Sequence, residues 1–194
     1  FAQRGTPKLV VEVGCNDTFL LQKFVDQGAT AVGVDPILTG REAAFLDAVP
    51  QAQKTQFKIV GKFVEQVDFR AELGAVPALF ISNFVFEHIR DPFAVTQGLI
   101  EKMGDDSVAI IGVPGAEFMV YNSRFDQLSH QHYQQFNMQS FKRMITRAGG
   151  EVMDAACNFS NWGQLIVAFR KAKTRQDAAH YTAPYSLAQV QESV

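Results

Sequence analysis

Residues 10–18 read VVEVGCNDT, and this stretch decides the fold of the chain. A β-branched run ends at Gly14, passes through small polar residues and gives way to residues 19–25, whose apolar positions recur at helical spacing. The stretch therefore predicts a strand, a tight turn and a helix. A second apolar run ends at Asp35, about twenty residues later, where a doubly wound sheet places a carboxylate that holds a ribose diol. Together these elements predict one βαβ unit with a nucleoside site.

The turn favours one class of nucleoside over another. Dinucleotide-binding proteins use several glycines so that backbone N–H groups reach a pyrophosphate at a helix N-terminus. This turn has Gly14 alone and carries Asp17, which repels a phosphate, so a nicotinamide-dependent oxidoreductase is disfavoured. An acidic turn suits a ligand with a cationic amino-acid group. A structural alternative remains, in which Glu12 and Asp17 serve only to cap the helix.

Composition narrows the function classes. The 194 residues carry a net charge of −2, so we expect one domain, a small neutral or anionic partner and no nucleic acid. No apolar run reaches the roughly 18 residues that span a bilayer and no signal pattern opens the chain, which predicts a cytoplasmic protein with no membrane partner. Two cysteines make neither a disulfide framework nor a zinc site. Since residue 1 is Phe, we expect the sequence to lie within a longer chain.

The remaining chain alternates strands with helices, which is typical of a parallel sheet. Further strands are predicted over residues 56–60, 77–83, 107–113, 151–156 and 164–169. Residues 116–135 show no clean strand or helix period and so interrupt this alternation. A segment of this length predicts a functional loop or lid, which contains Tyr121, His130, His132 and Tyr133. We expect the domain to cover residues 1–170, and residues 171–194 to form a linker or the start of a further segment.

These motifs resemble a known family. Glu12 and Gly14 are similar to motif I of the class I S-adenosylmethionine-dependent methyltransferases, although Asn16 and Thr18 replace further glycines. The run GCND resembles the GSNDG of the sugar C-methyltransferases within that superfamily. Residues 125–136 (FDQLSHQHYQQF) and 161–167 (NWGQLIV) are similar to two later segments of the same family. The resemblance covers about residues 9–170.

The resemblance implies a fold, a cofactor and a set of site residues. The fold is an α/β, doubly wound Rossmann-like sheet of seven strands, mostly parallel with an antiparallel C-terminal hairpin. The methyl donor is S-adenosylmethionine, with S-adenosylhomocysteine as product, and the acceptor is a small polar molecule such as a nucleotide sugar. The expected cofactor-binding residues are Glu12, Gly14, Asn16, Asp17, Asp35, Pro36, Phe63 and Asn83. The expected substrate-binding residues are His88, Tyr121 and Tyr133.

Methylation of a carbon beside a ketone needs a base, and histidine titrates near the working pH. By its position in the motif His132 is the expected base, with His130 orienting it or the substrate. Gln131 stands where the family has a glutamate, so the base loses a neighbouring negative charge.

Other functions remain open for the same residues. One is an O- or N-methyltransferase in which His132 serves a hydroxyl or only positions the acceptor. Another is a non-catalytic S-adenosylmethionine-binding module, in which Thr18 and Gln131 record lost activity. His130 and His132 would point the same way in an extended segment, as half of a metal site, but the sequence shows no third ligand and we expect no metal. They can also be loop residues bonded to backbone.

Overall fold

The computed structural model describes residues 5–17, 19–47, 49–125, 128–158 and 163–174. Thr18, Asn161 and Trp162 lie outside the described residues, as does most of the predicted 171–194 linker.

The fold is built on a seven-stranded sheet of order β3-β2-β1-β4-β5-β7-β6. The strands are β1 (Leu9–Val13), β2 (Thr30–Val34), β3 (Phe57–Val60), β4 (Leu79–Asn83), β5 (Val108–Pro114), β6 (Gly150–Asn158) and β7 (Gln164–Lys171). The first five run parallel to one another, whereas β7 runs antiparallel to both β5 and β6. This arrangement confirms the predicted sheet and its C-terminal hairpin.

Helices connect the strands and cover both faces of the sheet. They are α1 (Phe19–Val25), α2 (Glu42–Asp47), α3 (Phe69–Leu73), α4 (Pro92–Lys102), α5 (Ala116–Tyr121) and α6 (Met138–Arg147). Local sequence fixes where the longer ones begin. The Asp91 side chain accepts a hydrogen bond from the Ala94 N–H before α4, and Asn137 accepts one from Ser140 N–H before α6. No helix in the described part of the chain is long and apolar enough to cross a membrane.

Burial on both faces explains why the parallel strands read as continuous apolar runs. Leu99 of α4 and Phe141 of α6 belong to the large core cluster on one face, together with Phe80 of β4. Leu21 and Val25 of α1 belong to a second cluster. Each such side chain stabilises the fold by roughly 1.5–3 kcal/mol through the apolar surface it removes from water.

One part of the loop prediction was wrong. Residues 116–121 form the helix α5 instead of irregular chain. Only Met119 of this short helix is buried, while Val120 and Tyr121 are exposed, so its sequence carries no helical periodicity. From residue 128 to Phe136 the described chain is indeed irregular and lies against the turn that precedes α4.

The order of the strands positions the site. The chain runs outward from β1 to β2 and β3 on one side and from β4 to β5 on the other, so the sheet reverses direction between β1 and β4. Open α/β sheets bind ligands beyond the carboxyl ends of the strands at this point, because the loops there diverge and leave a crevice.

Candidate active site

A cavity of about 850 Å³ opens beyond the carboxyl ends of β1, β2 and β4. Such a volume is within the usual range for a small-molecule site. Among the predicted site residues, eight line it: Gly14, Asn16, Asp35, Pro36, Phe63, Asn83, His88 and Tyr133. The cavity therefore brings together most of the predicted cofactor residues and two of the three predicted substrate residues.

The turn after β1 is shaped by Gly14. Its φ of +73° is one that side-chain-bearing residues rarely adopt, and an added Cβ would lie 2.2 Å from Val85 Cγ2. Two other cavity residues, Asn16 and Phe84, also have positive φ, at 47° and 55°. Backbone held in such conformations is concentrated at ligand sites because the surrounding fold must enforce it.

Asp35 joins this turn to the end of β2. One carboxylate oxygen accepts a hydrogen bond from the Asn16 N–H at 3.1 Å and the other accepts one from the Ile37 N–H at 3.0 Å. The side chain is buried yet lines the cavity, so its position is fixed by the two bonds. Each oxygen keeps a second lone pair, which is what accepting hydrogen bonds from a ribose diol requires.

Glu12 and Asp17 lie near the turn but do not line the cavity. Glu12 is 6% exposed, and this burial, reinforced by the charges of Asp17 and Asp35, raises its pKa to about 8. Asp17 is exposed and accepts a hydrogen bond from the Phe19 N–H at 2.9 Å, which is the capping contact of the structural alternative. Burial also raises the pKa of the Cys15 thiol to about 12, so this cysteine is a poor nucleophile.

Asn83 and Phe63 form opposite parts of the cavity wall. The amide of Gln164 on β7 donates a hydrogen bond to Asn83 Oδ1 at the end of β4. Gly112 on the strand between them makes room for this pair, since a Cβ there would lie 2.4 Å from the Gln164 amide nitrogen. Phe63 is 58% exposed, so its ring offers an apolar surface to a ligand and adds little to the core.

A cluster of titratable side chains adjoins the cavity. A donor atom of each of Glu87, His88 and His132 lies within 4.8 Å of the other two. Glu87 Oε1 is 3.9 Å from His88 Nε2, and the His88 and His132 rings meet edge to face with centroids 4.8 Å apart. Burial raises the pKa of Glu87 to about 7, against the opposing effects of its own backbone and the charge of His88. Such a carboxyl changes its charge near neutral pH.

Residues 129–134 are held against the turn before α4 by backbone contacts. Gln134 N–H donates to the Glu87 carbonyl at 3.2 Å, and the Gln131 carbonyl accepts from His88 Nδ1 at 3.0 Å. The Arg90 guanidinium lies 5.1 Å from the centroid of the Tyr133 ring, in a cation–π contact that places this ring at the cavity. The segment thus adds the only tyrosine among the described residues that line the cavity.

Besides Glu12 and Asp17, three more predicted residues lie outside the cavity lining. Tyr121 is 90% exposed on α5. His130 is exposed near the start of residues 129–134, the docked segment that lies against the turn before α4. His132 is half-buried behind His88, so it reaches the cavity through that residue. Sequence reasoning missed the part played by Arg90 and left Glu87 without a role. The available signal was the pair Glu87 and His88. It lies between a predicted strand and the helix start at Asp91-Pro92, and so marks a turn at the end of a ligand-binding strand.

A family model described as a methyltransferase domain matches residues 1–155. The chain belongs to the methyltransferase domain family. It is a class I S-adenosylmethionine-dependent methyltransferase domain, as its sequence predicted. The C-methyltransferase NovU of Streptomyces niveus is 26% identical to it over 159 residues. That match covers 82% of this chain and 36% of NovU, so the chain spans about a third of the length of this curated relative.

Solved structures share the methyltransferase fold. The 1,6-didemethyltoxoflavin-N1-methyltransferase of Burkholderia thailandensis, solved with S-adenosylhomocysteine, is 16% identical with a TM-score of 0.69, covering 89% of this chain and 74% of its own. The O-methyltransferase NcsB1 from neocarzinostatin biosynthesis, solved with S-adenosylmethionine, is 16% identical with a TM-score of 0.64, covering 84% of this chain and 49% of its own. Since one methylates nitrogen and the other oxygen by name, the fold does not specify the acceptor atom.

S-adenosylmethionine is the methyl donor of this methyltransferase domain, and the described residues are compatible with it. The turn at Gly14 leaves its backbone open to a ligand because a Cβ cannot be accommodated there. Asp35 has the free lone pairs for a ribose diol, and Phe63 offers an exposed ring to an adenine. Asp35 and Phe63 thus offer one polar and one apolar surface of the kind that a nucleoside requires.

Proposed function

We propose that this methyltransferase domain transfers a methyl group to a carbon beside the ketone of a nucleotide-linked sugar, with His132 as the base. The observation that carries the proposal is that the histidine cluster adjoins the cavity that Asp35 also lines, with His88 and Tyr133 forming part of its wall. The 26% identity to the C-methyltransferase NovU supports the same acceptor atom.

The donor end is assigned to the residues around the glycine turn. Asp35 binds the ribose diol, Phe63 and Pro36 contact the adenine, and Gly14 and Asn16 approach the amino-acid part through their backbone. Glu12 and Asp17 supply negative charge near that part. Asn83 lies at the boundary between donor and acceptor, held by Gln164. When bound, S-adenosylmethionine supplies a methyl group already activated on a sulfonium sulfur.

The acceptor end is assigned to His88, Tyr133 and the exposed Tyr121, with the histidine cluster supplying the base. A carbon beside a ketone carries a weakly acidic hydrogen, and His132 takes this proton by way of His88, the ring that lines the cavity in front of it, as the enolate forms on the acceptor. His130 orients the cluster or the sugar. A positioned base of this kind contributes roughly 10²–10⁴-fold to a rate.

The test uses a panel of nucleotide-linked keto sugars incubated with S-adenosylmethionine, with products identified by mass and by NMR. We expect a new C–CH₃ group, and we expect H132N to lose at least about a hundredfold in rate. Exchange of the hydrogen beside the ketone in D₂O, measured with S-adenosylhomocysteine bound, isolates the proton-removal step. Unchanged exchange in H132N would exclude His132 as the base.

A second function is favoured by a specific observation. His132 does not line the cavity, so His88 and Tyr133 are the groups that meet the acceptor first, and a hydroxyl bound there would be methylated on oxygen. O- and N-methylation need alignment more than acid–base chemistry, and alignment alone is worth up to roughly 7–11 kcal/mol. An O-methyl or N-methyl product from the same panel would establish this alternative. Donor binding without any product would indicate a non-catalytic module.

A further inference from the structure

The motif that contains the proposed base lacks its usual carboxylate, because Gln131 stands where the resembled family has a glutamate. We propose that Glu87, on the turn before α4, supplies that carboxylate and positions the His88–His132 pair. The proposal rests on the proposed role of His132 and names the charge on which that role depends. Glu87 and Gln131 are 44 positions apart in the sequence, and the fold brings them to the same cluster.

The geometry gives Glu87 access to both rings. Its Oε1 lies 3.9 Å from His88 Nε2, and a carboxylate oxygen lies within 4.8 Å of a His132 ring nitrogen. His88 and His132 contact each other edge to face. A carboxylate at these distances favours the protonated form of an imidazole, which is the form that a base reaches as it accepts a proton.

The hydrogen bonds of His88 define its orientation. Carbonyl oxygens only accept, so the 3.0 Å contact with the Gln131 carbonyl requires a proton on His88 Nδ1. The other ring nitrogen, Nε2, then faces the Glu87 carboxylate. One side of the ring is therefore anchored to the motif segment through the Gln131 backbone, and the other side points to Glu87. This is the arrangement in which a carboxylate orients an imidazole.

Glu87 itself is placed as a functional carboxylate rather than a surface one. It is 2% exposed, and its Oε2 has no hydrogen-bond partner among the described residues. Burying a carboxylate atom without a partner is costly, so such an atom calls for a compensating cation or proton nearby. The titratable side chains beside it in the described part of the chain are His88 on the same turn and His132 on the docked segment.

A proton bound to one of the three side chains explains the cluster better than a metal ion. Donor atoms around a zinc-sized ion lie roughly 3–3.5 Å apart, given bond lengths of about 2.0–2.2 Å. The atoms of Glu87, His88 and His132 are spread over 4.8 Å. At these separations a proton is held by one group and stabilised by the charge of the next.

The experiment is an NMR titration of the histidine ring signals in the full chain, which has four histidines. Signals are assigned with H88N and H132N, and all samples contain a chelator. In E87Q we expect the pKa of His132 to fall by about one unit. E101Q, which removes an exposed carboxylate from α4, is the matched control and is expected to leave the pKa of His132 unchanged.

A conservative variant separates the charge of Glu87 from the size of its side chain. In E87D the carboxylate is kept on a shorter side chain, and we expect the pKa of His132 to stay closer to its wild-type value than in E87Q. A side chain that merely stabilised the turn by packing would give the opposite order, because Gln matches Glu in size better than Asp does. Unfolding curves for every variant verify that each is folded. If E87Q leaves the pKa of His132 unchanged, or lowers it no more than E87D does, the proposal is overturned.

The titration is separate from the test of the proposed function, since it needs neither donor nor acceptor. If E87Q lowers the pKa of His132 but no keto sugar is methylated, the acceptor is wrong and the Glu87 assignment stands. If H132N abolishes C-methylation but E87Q leaves the titration unchanged, only the Glu87 assignment fails. A His132 signal whose titration changes when the chelator is omitted and Zn²⁺ is added at equimolar concentration would assign the cluster to a cation and overturn the proposal.

Discussion

The carboxylate of Asp35 accepts a hydrogen bond from the backbone N–H of Asn16 across 3.1 Å. Asp35 follows β2 and Asn16 lies in the turn after β1, so this bond joins the ends of two neighbouring strands, of which β1 borders the switch point between β1 and β4. Asn16 has a φ of 47°, and the bond helps to hold it in that unfavourable conformation. The proposed donor site is thus one unit in which the carboxylate and the glycine turn fix each other.

Replacing Gly14 should damage both the fold and the site. In G14A the new Cβ would meet Val85 at 2.2 Å and would also occupy a φ of +73°, so we expect a loss of more than about 2 kcal/mol in the free energy of unfolding, and loss of donor binding. Urea unfolding measures the first and calorimetry the second. G28A is the matched control, because Gly28 has a φ of +87° with nothing within 4 Å of its Cβ position. Equal losses in the two variants would contradict the close contact with Val85.

Glu12 should make stability fall as pH rises. Its folded pKa of about 8 lies above its ordinary 4.5, so between these values the folded protein retains a proton that the unfolded chain has released. The contribution of this carboxyl is therefore complete below about pH 4.5 and is lost as pH rises through 8. E12Q cannot ionise, so its stability relative to wild type should increase from pH 5 to pH 9, by roughly 2–4 kcal/mol. Parallel curves of Tm against pH for the two proteins would contradict the raised pKa.

Phe63 should matter more to the donor than to the fold. Its ring is 58% exposed at the cavity, so F63A is expected to change Tm little and to weaken S-adenosylhomocysteine binding about two- to tenfold, the value of one aromatic contact. Phe69 provides the comparison, since it is 2% exposed in the core and F69A should cost about 3–5 kcal/mol of stability. Calorimetric titration measures the affinity of both variants for S-adenosylhomocysteine, and thermal unfolding measures their stability. Unchanged affinity in F63A would remove Phe63 from the donor site.

Much of the fold was predictable because its signals are local. Strands such as Leu79–Asn83 are covered on both faces and read as apolar runs. Asp91 and Asn137 are capping residues that mark where the next helix begins. The helix at 116–121 was missed because its exposed side, with Val120 and Tyr121, is as apolar as its buried side. The apolar residues of this segment therefore show no helical period that would distinguish its buried side from its exposed side.

The cavity lining around Gly14 and Asp35 was predictable for the same reason, and the histidine cluster was not. Gly14 and Asp35 follow strands directly, so their positions are set by the sheet. The contact of Glu87 with His132 depends instead on how an irregular segment docks, through backbone bonds such as Gln134 N–H to the Glu87 carbonyl. Backbone bonds of this kind leave no residue pattern in the sequence.

The most direct test of the donor site is calorimetric titration of the purified protein with S-adenosylmethionine and S-adenosylhomocysteine, alongside D35A and the exposed turn variant D105N. We expect micromolar binding of both ligands by wild type and D105N. We expect at least tenfold weaker binding by D35A, since a hydrogen bond to a charged group is worth about 1.5–3 kcal/mol. A folded wild-type protein that binds neither ligand, or a D35A variant that binds as tightly as wild type, would contradict the proposed donor site.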